Sequence, residues 1–506
     1  MYPSQTSLIP VTVSLSRFFI ENGFESFSQK YPYWYLGSTD YKYLIGPVVP
    51  LVTTAVHKLF SHLSIFDVTI LLVFLSYTTS VIGWLIFVKA LQNRKYFNYI
   101  LLFVLLILPW RLFSQMTLDE GSFSVARNLI PFVLIMFLRY IRTYSKTSYI
   151  GLISVITLSL IINTGILPIL VIGIFCTALS TDLIKGKTKD LVKKSKEAVK
   201  AILFAVVIVT LWYGLSYWKV VLFNPTVGGV SLPLAFKRLF DLVRNIVPVV
   251  AAVIGVYFNK KIKGSLSTFT MYWIFAFLFL SLFRFIGDWD FWQDWSRWFF
   301  EIEVGIAILL SGLLQTIIVW LTNVSRNFLK NESRNQFGVR GSVVNSSFGS
   351  GIKNKSVVFV VLIFMPIFFT WRIYVLLGKP KILSNNVPEA VSNLTELSIR
   401  AGNKVVFLSG STVFWADALY DIYQVRGGND SVAIHPTWDK AAYEFREGSK
   451  VGESSKYLRD LSVEYVLVHS NASKEFYQDF RNPSKWESLG VRVWENNGDM
   501  IYKVNY

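Results

Sequence analysis

Long apolar runs separated by short basic loops set the pattern of this chain. The runs at 66–91, 97–113, 124–141, 201–222, 267–286, 297–321 and 356–377 each suit a single helix crossing about 30 Å of hydrocarbon. The run 148–183 is too long for one helix. Asn163-Thr164-Gly165 and Pro168 interrupt it, which predicts two spans joined by a tight outer turn. A shorter run at 246–258 adds another span. The pattern predicts an α-helical polytopic membrane protein with about ten transmembrane helices.

The loops then fix an expected orientation. Lys89, Arg94 and Lys95 mark the far end of the first span, and Arg139, Arg142 and Lys146 that of the third. Lys185, Lys187, Lys189, Lys193, Lys194, Lys196 and Lys200 make the strongest basic loop, and Lys260, Lys261 and Lys263 a further one. The positive-inside rule places all of these in the cytoplasm, which puts both the N-terminal stretch and the C-terminal tail outside. The polar stretch 322–355, rich in Ser, Asn and Gly, reads as a cytoplasmic linker within the transmembrane region 66–377.

Two regions break the pattern. Residues 8–20 predict a short amphipathic helix lying along the membrane surface, too short to cross. Residues 21–60, within an outer-face region 1–65, are aromatic and broken by Gly46-Pro47 and Pro50. Tyr31, Tyr33, Trp34, Tyr35, Tyr41 and Tyr43 are residue types that favour the headgroup zone. The expectation is a loop folded onto the outer membrane surface over a cavity, followed by a short apolar helix near 48–60. From about 378 to 506 the composition changes. KVVFLS, SVAIH and EYVLVHS read as short strands, and VRVWENNGDMIYKVN as a hairpin turning at Asn497-Gly498. This predicts a small extracytoplasmic α/β domain. Lys404–Gly410 followed by Ser411 resembles the start of a nucleotide-binding unit but carries neither a G-x-G-x-x-G nor a Walker pattern. Asn393, Asn429 and Asn471 begin glycan-acceptor sequons on the side predicted to be external.

Composition narrows the chemistry. The net charge of +18 suggests nucleic acid only until the lysines are seen to lie in short loops between spans, where they report topology. Cys176 is the only cysteine, and it sits in an apolar run, so neither a disulfide nor a thiolate metal site forms within the chain. None of the four histidines has metal-motif spacing. Met1 is followed by polar residues, so no cleavable signal peptide is expected.

The candidate chemistry lies at the outer ends of spans. Arg111, Arg127, Arg284 and Arg297 fall there, with Asp119, Glu120, Asp288, Asp290 and Asp294 in the loops beside them. Asp40 and Lys42 sit inside the aromatic loop. Charges at membrane depth cost about 2.5–3.5 kcal/mol on insertion scales unless they pair or face water, so both signs together suggest a polar cavity. A guanidinium fork suits a lipid phosphate. A carboxylate beside it can deprotonate a hydroxyl or hold a divalent metal. Interfacial salt bridges that merely fix helix packing account for the same residues.

The order of features resembles a family. Trp34, Tyr35 and Gly37 form W-Y-x-G, and Tyr43, Pro47, Pro50 and Leu51 follow. Next come an acidic outer loop before LDEGSFSVARNLIPFVLIMFLRY, Arg297 at the start of a late span, and a YVLV strand in an external domain. This resembles the polytopic membrane proteins labelled as related to 6-pyruvoyl-tetrahydropterin synthase. These in turn resemble GT-C glycosyltransferases, such as dolichyl-phosphate-mannose-dependent transferases and the aminoarabinose transferase of lipid A. The resemblance implies a sugar donor on a polyprenyl phosphate and transfer on the external face of the plasma membrane to a lipid, glycan or protein acceptor. Arg127 and Arg297 would bind the phosphate, supported by Lys42, Arg111 and Arg284. Asp40 or Glu120 would act as catalytic base or as ligand to Mg or Mn. The family begins with a transmembrane helix followed by its catalytic Asp, and neither has a counterpart here. The expectations are an upstream start, a partner chain that supplies the helix, or a non-catalytic relative. Among the acids of the loop, Glu21, Glu25 and Asp40, Asp40 is the chosen substitute. Two rival readings are a non-catalytic envelope protein presenting its external domain for assembly, and a transporter with a discontinuous helix at Asn163–Pro168.

Overall fold

The computed structural model describes residues 8–38, 47–92, 121–182, 188–215, 264–282, 300–312, 389–428, 433–475 and 478–505, with a few single residues between them. The expected spans at 246–258 and 356–377, and the linker 322–355, lie outside the described residues.

The first membrane helix of the pattern, α3 (Ile65–Leu91), starts at a capping box in which the Ser64 hydroxyl accepts from Asp67 N and the Asp67 carboxylate accepts from Ser64 N. It exposes Leu71, Phe74, Leu75, Ile82 and Ile86. A stripe of large apolar side chains facing outward from a bundle suits contact with lipid. Among the described residues, three helical stretches are long and apolar enough to cross a membrane: Ile65–Leu91, Ser122–Thr143 and Thr164–Thr181. The chain is a multi-pass helical membrane protein.

Preceding α3 are α1 (Leu8–Asn22) and α2 (Val48–Leu59). The second membrane stretch is broken into α4 (Gly121–Asn128) and α5 (Ile130–Thr143). Pro131 causes the break: it lacks an N–H, and its ring would collide with the carbonyl of Arg127 in a continuous helix. Then come α6 (Lys146–Ile162), a 3-10 turn (Thr164–Ile166), α7 (Leu167–Asp182), α8 (Thr188–Tyr213) and α9 (Ser265–Leu282), and a helix follows at 300–312. The turn forms where the sequence predicts it. Asn163 Oδ1 accepts from Gly165 N at 2.8 Å, and the turn is buried in the bundle. Helices approach closely at glycines. A Cβ on Gly305 would lie 2.3 Å from Ile274 Cγ1, and one on Gly83 2.8 Å from Pro131 Cγ. Only glycine permits these contacts.

Beyond the bundle, α10 (Glu389–Arg400), β1 (Val405–Phe407), α11 (Thr412–Leu419), α12 (Trp438–Arg446), α13 (Val451–Asp460), β2 (Val463–His469), α14 (Trp486–Leu489), β3 (Gly490–Asn496) and β4 (Asp499–Val504) form an α/β unit. Its four-stranded sheet has the order β1-β2-β4-β3, with β1 parallel to β2 and the other pairs antiparallel. The β3–β4 hairpin turns at Asn497 and Gly498, with φ of 50° and 85°, the left-handed pair that such two-residue turns require. The expected strand SVAIH does not form among the described residues. Ala433 makes only an isolated bridge, to Ser38.

That bridge belongs to the main correction of the sequence reading. The residues of α1 do not lie on a surface: Ile9, Val11, Val13, Leu15, Phe18 and Phe19 are all buried. The helix is apolar on more than one face, as suits a helix enclosed by protein. It packs against α2 and α3 on one side and α11 on the other. Its buried hydroxyls return to backbone carbonyls, Ser14 to Pro10 O at 2.9 Å and Ser16 to Thr12 O at 2.8 Å. The aromatic loop likewise enters the protein. Tyr31, Trp34 and Tyr35 are 1–3% exposed and share a core with Phe407, Val425, Trp438 and Val466. Leu36 N donates to Gln424 O at 3.1 Å, and Gln424 N donates to Tyr33 O at 3.0 Å, so the loop runs as an extra edge beside the sheet. Tyr35 Oη donates to Gly427 O at 2.9 Å. Large rings gain more from full burial than from a headgroup belt when a matching cavity is present. Tyr41 and Tyr43 lie outside the described residues.

Candidate functional site

Of the residues proposed from sequence, Arg127 lies among the described residues. Asp40, Lys42, Arg111, Glu120, Arg284 and Arg297 lie outside them. Arg127 ends α4, one turn before the Pro131 break, and its side chain is fully buried. Its Nε lies 3.7 Å from Glu301 Oε1 on the 300–312 helix, and Glu301 is equally enclosed. The guanidinium carbon sits 4.2 Å from the centroid of the Phe300 ring, and the Phe123 ring is 5.9 Å away. The backbone carbonyl of Glu301 accepts from Trp273 Nε1 at 2.6 Å, which ties the helix at 300–312 to α9.

Further polar side chains of α4 and of the turn after α6 are buried in the same bundle. Asn128 Nδ2 donates to Ser76 Oγ at 3.0 Å, linking α4 to α3. Asn163 Nδ2 donates to Ser122 Oγ at 3.4 Å, linking α4 to the buried turn. The Thr164 and Tyr217 hydroxyls are 2.5 Å apart, and Tyr213 Oη donates to Ile161 O at 2.5 Å. Ser122, Ser124, Arg127, Asn128, Asn163, Thr164 and Glu301 are all buried. Such a set of polar groups inside an apolar bundle is costly unless its members satisfy one another, and in membrane proteins it marks pathways and sites.

The sequence reading missed Glu301. The signal was present: Glu301 and Glu303 are acids within the apolar run 297–321, and an ionisable residue inside a span is a functional candidate by position alone. Glu301 also stands four residues after Arg297, the spacing that puts two side chains on one helix face.

The loop after β1 answers a second sequence question. Gly410 has φ of +67°, and the following Ser411 binds Glu475 twice, through N at 3.1 Å and Oγ at 2.6 Å. A Cβ at Gly410 would lie 2.8 Å from Glu475 Cδ. The place where a nucleotide-binding unit would hold a phosphate is filled by the protein's own carboxylate. Beside it, Ser409 Oγ donates to Asp479 Oδ2 at 2.6 Å, and Arg446 Nη1 approaches the same oxygen at 3.1 Å. Deeper in the unit, Asp417 accepts from Gln424 Nε2 at 2.5 Å, and its burial pushes the carboxyl well above the ordinary carboxylate range. Among the described residues no group of three or more His, Cys, Asp or Glu is gathered to hold a Mg or Mn ion.

Comparison with known proteins adds the following. No family model matches the sequence, and no curated protein matches it. Among solved structures the chain is similar to ArnT from Cupriavidus metallidurans bound to undecaprenyl phosphate, at 11% identity and a TM-score of 0.48, covering 98% of this chain and 93% of that one. It is similar to the same protein in the apo state at 12% identity and a TM-score of 0.49, covering 99% of this chain and 94% of that one.

Proposed function

We propose that this chain is an integral-membrane, GT-C-like glycosyltransferase. It takes a sugar from a polyprenyl-phosphate carrier and passes it to a lipid, glycan or protein acceptor on the extracytoplasmic face. The observation that carries the reading is the buried Arg127–Glu301 pair in a bundle that buries further polar side chains. An arginine inside a membrane protein is kept for an anion or for a counter-charge, and here the counter-charge also fixes the direction of the fork. In this reading Glu301 aims Arg127, and Arg127 and Arg297 bind the lipid phosphate. Asp40 or Glu120 takes the proton from the acceptor hydroxyl. The oxygen then attacks the anomeric carbon, and the polyprenyl phosphate leaves with the bonding electrons, its charge held by the two arginines.

The test is transfer from a labelled polyprenyl-phospho-sugar by the purified full chain in liposomes. Loss of transfer in Asp40→Ala or Glu120→Ala, with lipid binding retained, supports the assignment of the base. Equal transfer by both variants removes it, and absence of any polyprenyl-phosphate binding removes the function.

One observation favours a second reading, a non-catalytic envelope protein. Arg127 is already matched by a protein carboxylate and has no exposed surface. In that case the pair only locks α4 to the 300–312 helix, and the protein co-purifies with envelope components without bound lipid-linked sugar.

A further inference from the structure

At the lysine-rich end of α8 a groove of about 500 Å³ runs between α7 and α8, lined by Phe175, Val192, Ser195, Lys196, Val199 and Lys200. On the other side of Phe175 a second hollow, about 300 Å³, is walled by Cys176, Leu179, Tyr272 and Phe275. Phe175 itself is 52% exposed and forms the ridge between the two. Both walls are apolar carbon, with lysine stems on the α8 side only. The first four turns of α8 carry five lysines against two acids. Lys200 is taken up by Glu197 at 2.9 Å, and Lys193 Nζ lies 4.8 Å over the Tyr144 ring. Lys196 stands on the groove itself. Beyond Lys200 the helix carries no charge and exposes Leu203, Phe204, Val207 and Leu211. The groove therefore lies where hydrocarbon gives way to headgroups, the level at which lysine buries its stem and lifts its ammonium to the interface.

We propose that the two hollows seat one anionic diacyl phospholipid, with an acyl chain on either side of Phe175 and the phosphate on Lys196. Two apolar hollows that share Phe175 as a common wall match two chains on one glycerol. The cationic surplus selects a headgroup with net negative charge over a zwitterionic one, by about fivefold for each lysine in reach. An apolar helix from another protein would cover the same carbon but would bury the ammonium groups without a counter-charge. The binding is independent of sugar transfer, since none of these residues belongs to the Arg127–Glu301 pair or to the buried polar residues named with it.

The experiment is native mass spectrometry of the full chain, titrated with phosphatidylglycerol or with phosphatidylcholine of the same acyl composition. Phosphatidylglycerol adducts are expected at roughly fivefold lower concentration than phosphatidylcholine adducts. Lys196→Gln abolishes that preference. Val199→Trp, at a half-exposed position that tolerates bulk, fills the groove and lowers retention of both lipids. Lys404→Gln, an exposed substitution far from the bundle, changes neither. Equal retention of the two lipids overturns the proposal, as does a preference that survives Lys196→Gln, retention unaffected by Val199→Trp, or a dimer that covers the groove and excludes lipid.

Discussion

Removing the carboxylate of Glu301 tests the buried pair most directly. The Nε–Oε1 separation is 3.7 Å, with side-chain exposures of 0% and 1%. At an effective dielectric of about 20, unit charges at that distance attract by about 4 kcal/mol. Glu301→Gln keeps the shape and removes the charge, so the Arg127 guanidinium stays buried without this counter-ion. Breaking one side of a buried pair typically costs about 3–5 kcal/mol. The Phe300 face, 4.2 Å from the guanidinium carbon, is the same in both forms and offsets none of this. The expected loss is about 3–5 kcal/mol, read as a lower melting midpoint of the detergent-purified chain. The pair of substitutions Arg127→Met and Glu301→Leu removes both charges and should regain most of that loss, because apolar replacement of an entire buried pair is close to neutral. Glu301→Gln melting with wild type would refute the ion pair. The double variant also separates the two functional readings. A stable double variant that no longer binds polyprenyl phosphate supports an anion-binding role for Arg127, and one that still binds and transfers restricts the pair to packing.

Further outcomes follow from the unit at the other end of α1. Trp34→Ala empties a fully buried site shared with Trp438 and Val425 and should cost about 3–5 kcal/mol, seen as faster proteolysis within 389–505. Gly427→Ala would place a Cβ 2.5 Å from Trp34 Cβ and should cost about 1–3 kcal/mol by overpacking, with the same readout. The Asp417 carboxyl is raised by burial, so the folded form holds its proton above the ordinary value of 3.8 while the unfolded chain releases it. Its contribution to stability is complete below that value and is lost as pH rises toward the folded pKa. Asp417→Asn should therefore gain on wild type as pH rises from 4 to neutrality, and parallel melting curves across that range would count against the assignment. Lys485 is pushed down to about 8 by burial, while its Nζ donates to the carbonyls of Glu444 and Gly448. Lys485→Met should free both acceptors and lower the melting midpoint by an amount worth about 2 kcal/mol.

The sequence showed most clearly what repeats. Apolar runs between basic loops announced membrane helices, and the Asn163–Pro168 interruption and the Asn497-Gly498 turn sit where local chemistry put them. Local chemistry says nothing of partners distant along the chain. The run LIPVTVSLSRFFI has the composition of an interfacial helix, and only the presence of α2, α3 and α11 around it makes it an enclosed one. Trp34 and Tyr35 favour a headgroup belt until a cavity formed by Val425, Ala433 and Trp438, about 400 residues later, competes for them. Arg127 was recognisable because an arginine at a span end is costly. Its partner was not, because pairing a residue at 127 with one at 301 requires knowing which helices are neighbours.

The N-terminal segment gives these elements a common mechanical frame. Ser16 Oγ reaches Pro50 O at 3.3 Å and Thr54 Oγ1 reaches Ser16 O at 3.3 Å, so α1 is fastened to α2 through buried polar contacts as well as side-chain packing. On its other face Arg17 binds Asp417 O and the Asp421 carboxylate, both at 3.3 Å, and the Phe66 ring of α3 stacks on Trp415 of α11 at 5.5 Å. The helix that carries Arg127 also touches α1. Among the described residues the α/β unit is therefore joined to the bundle both through α1 and through the direct contact of α3 with α11. Any motion that opens α4 on the side facing α1 must shift α1 and strain its contacts with α11. If the proposed function holds, substitutions at Trp34 or Gly427, which disturb the packing of the aromatic loop against the α/β unit, should alter lipid binding as well as proteolysis.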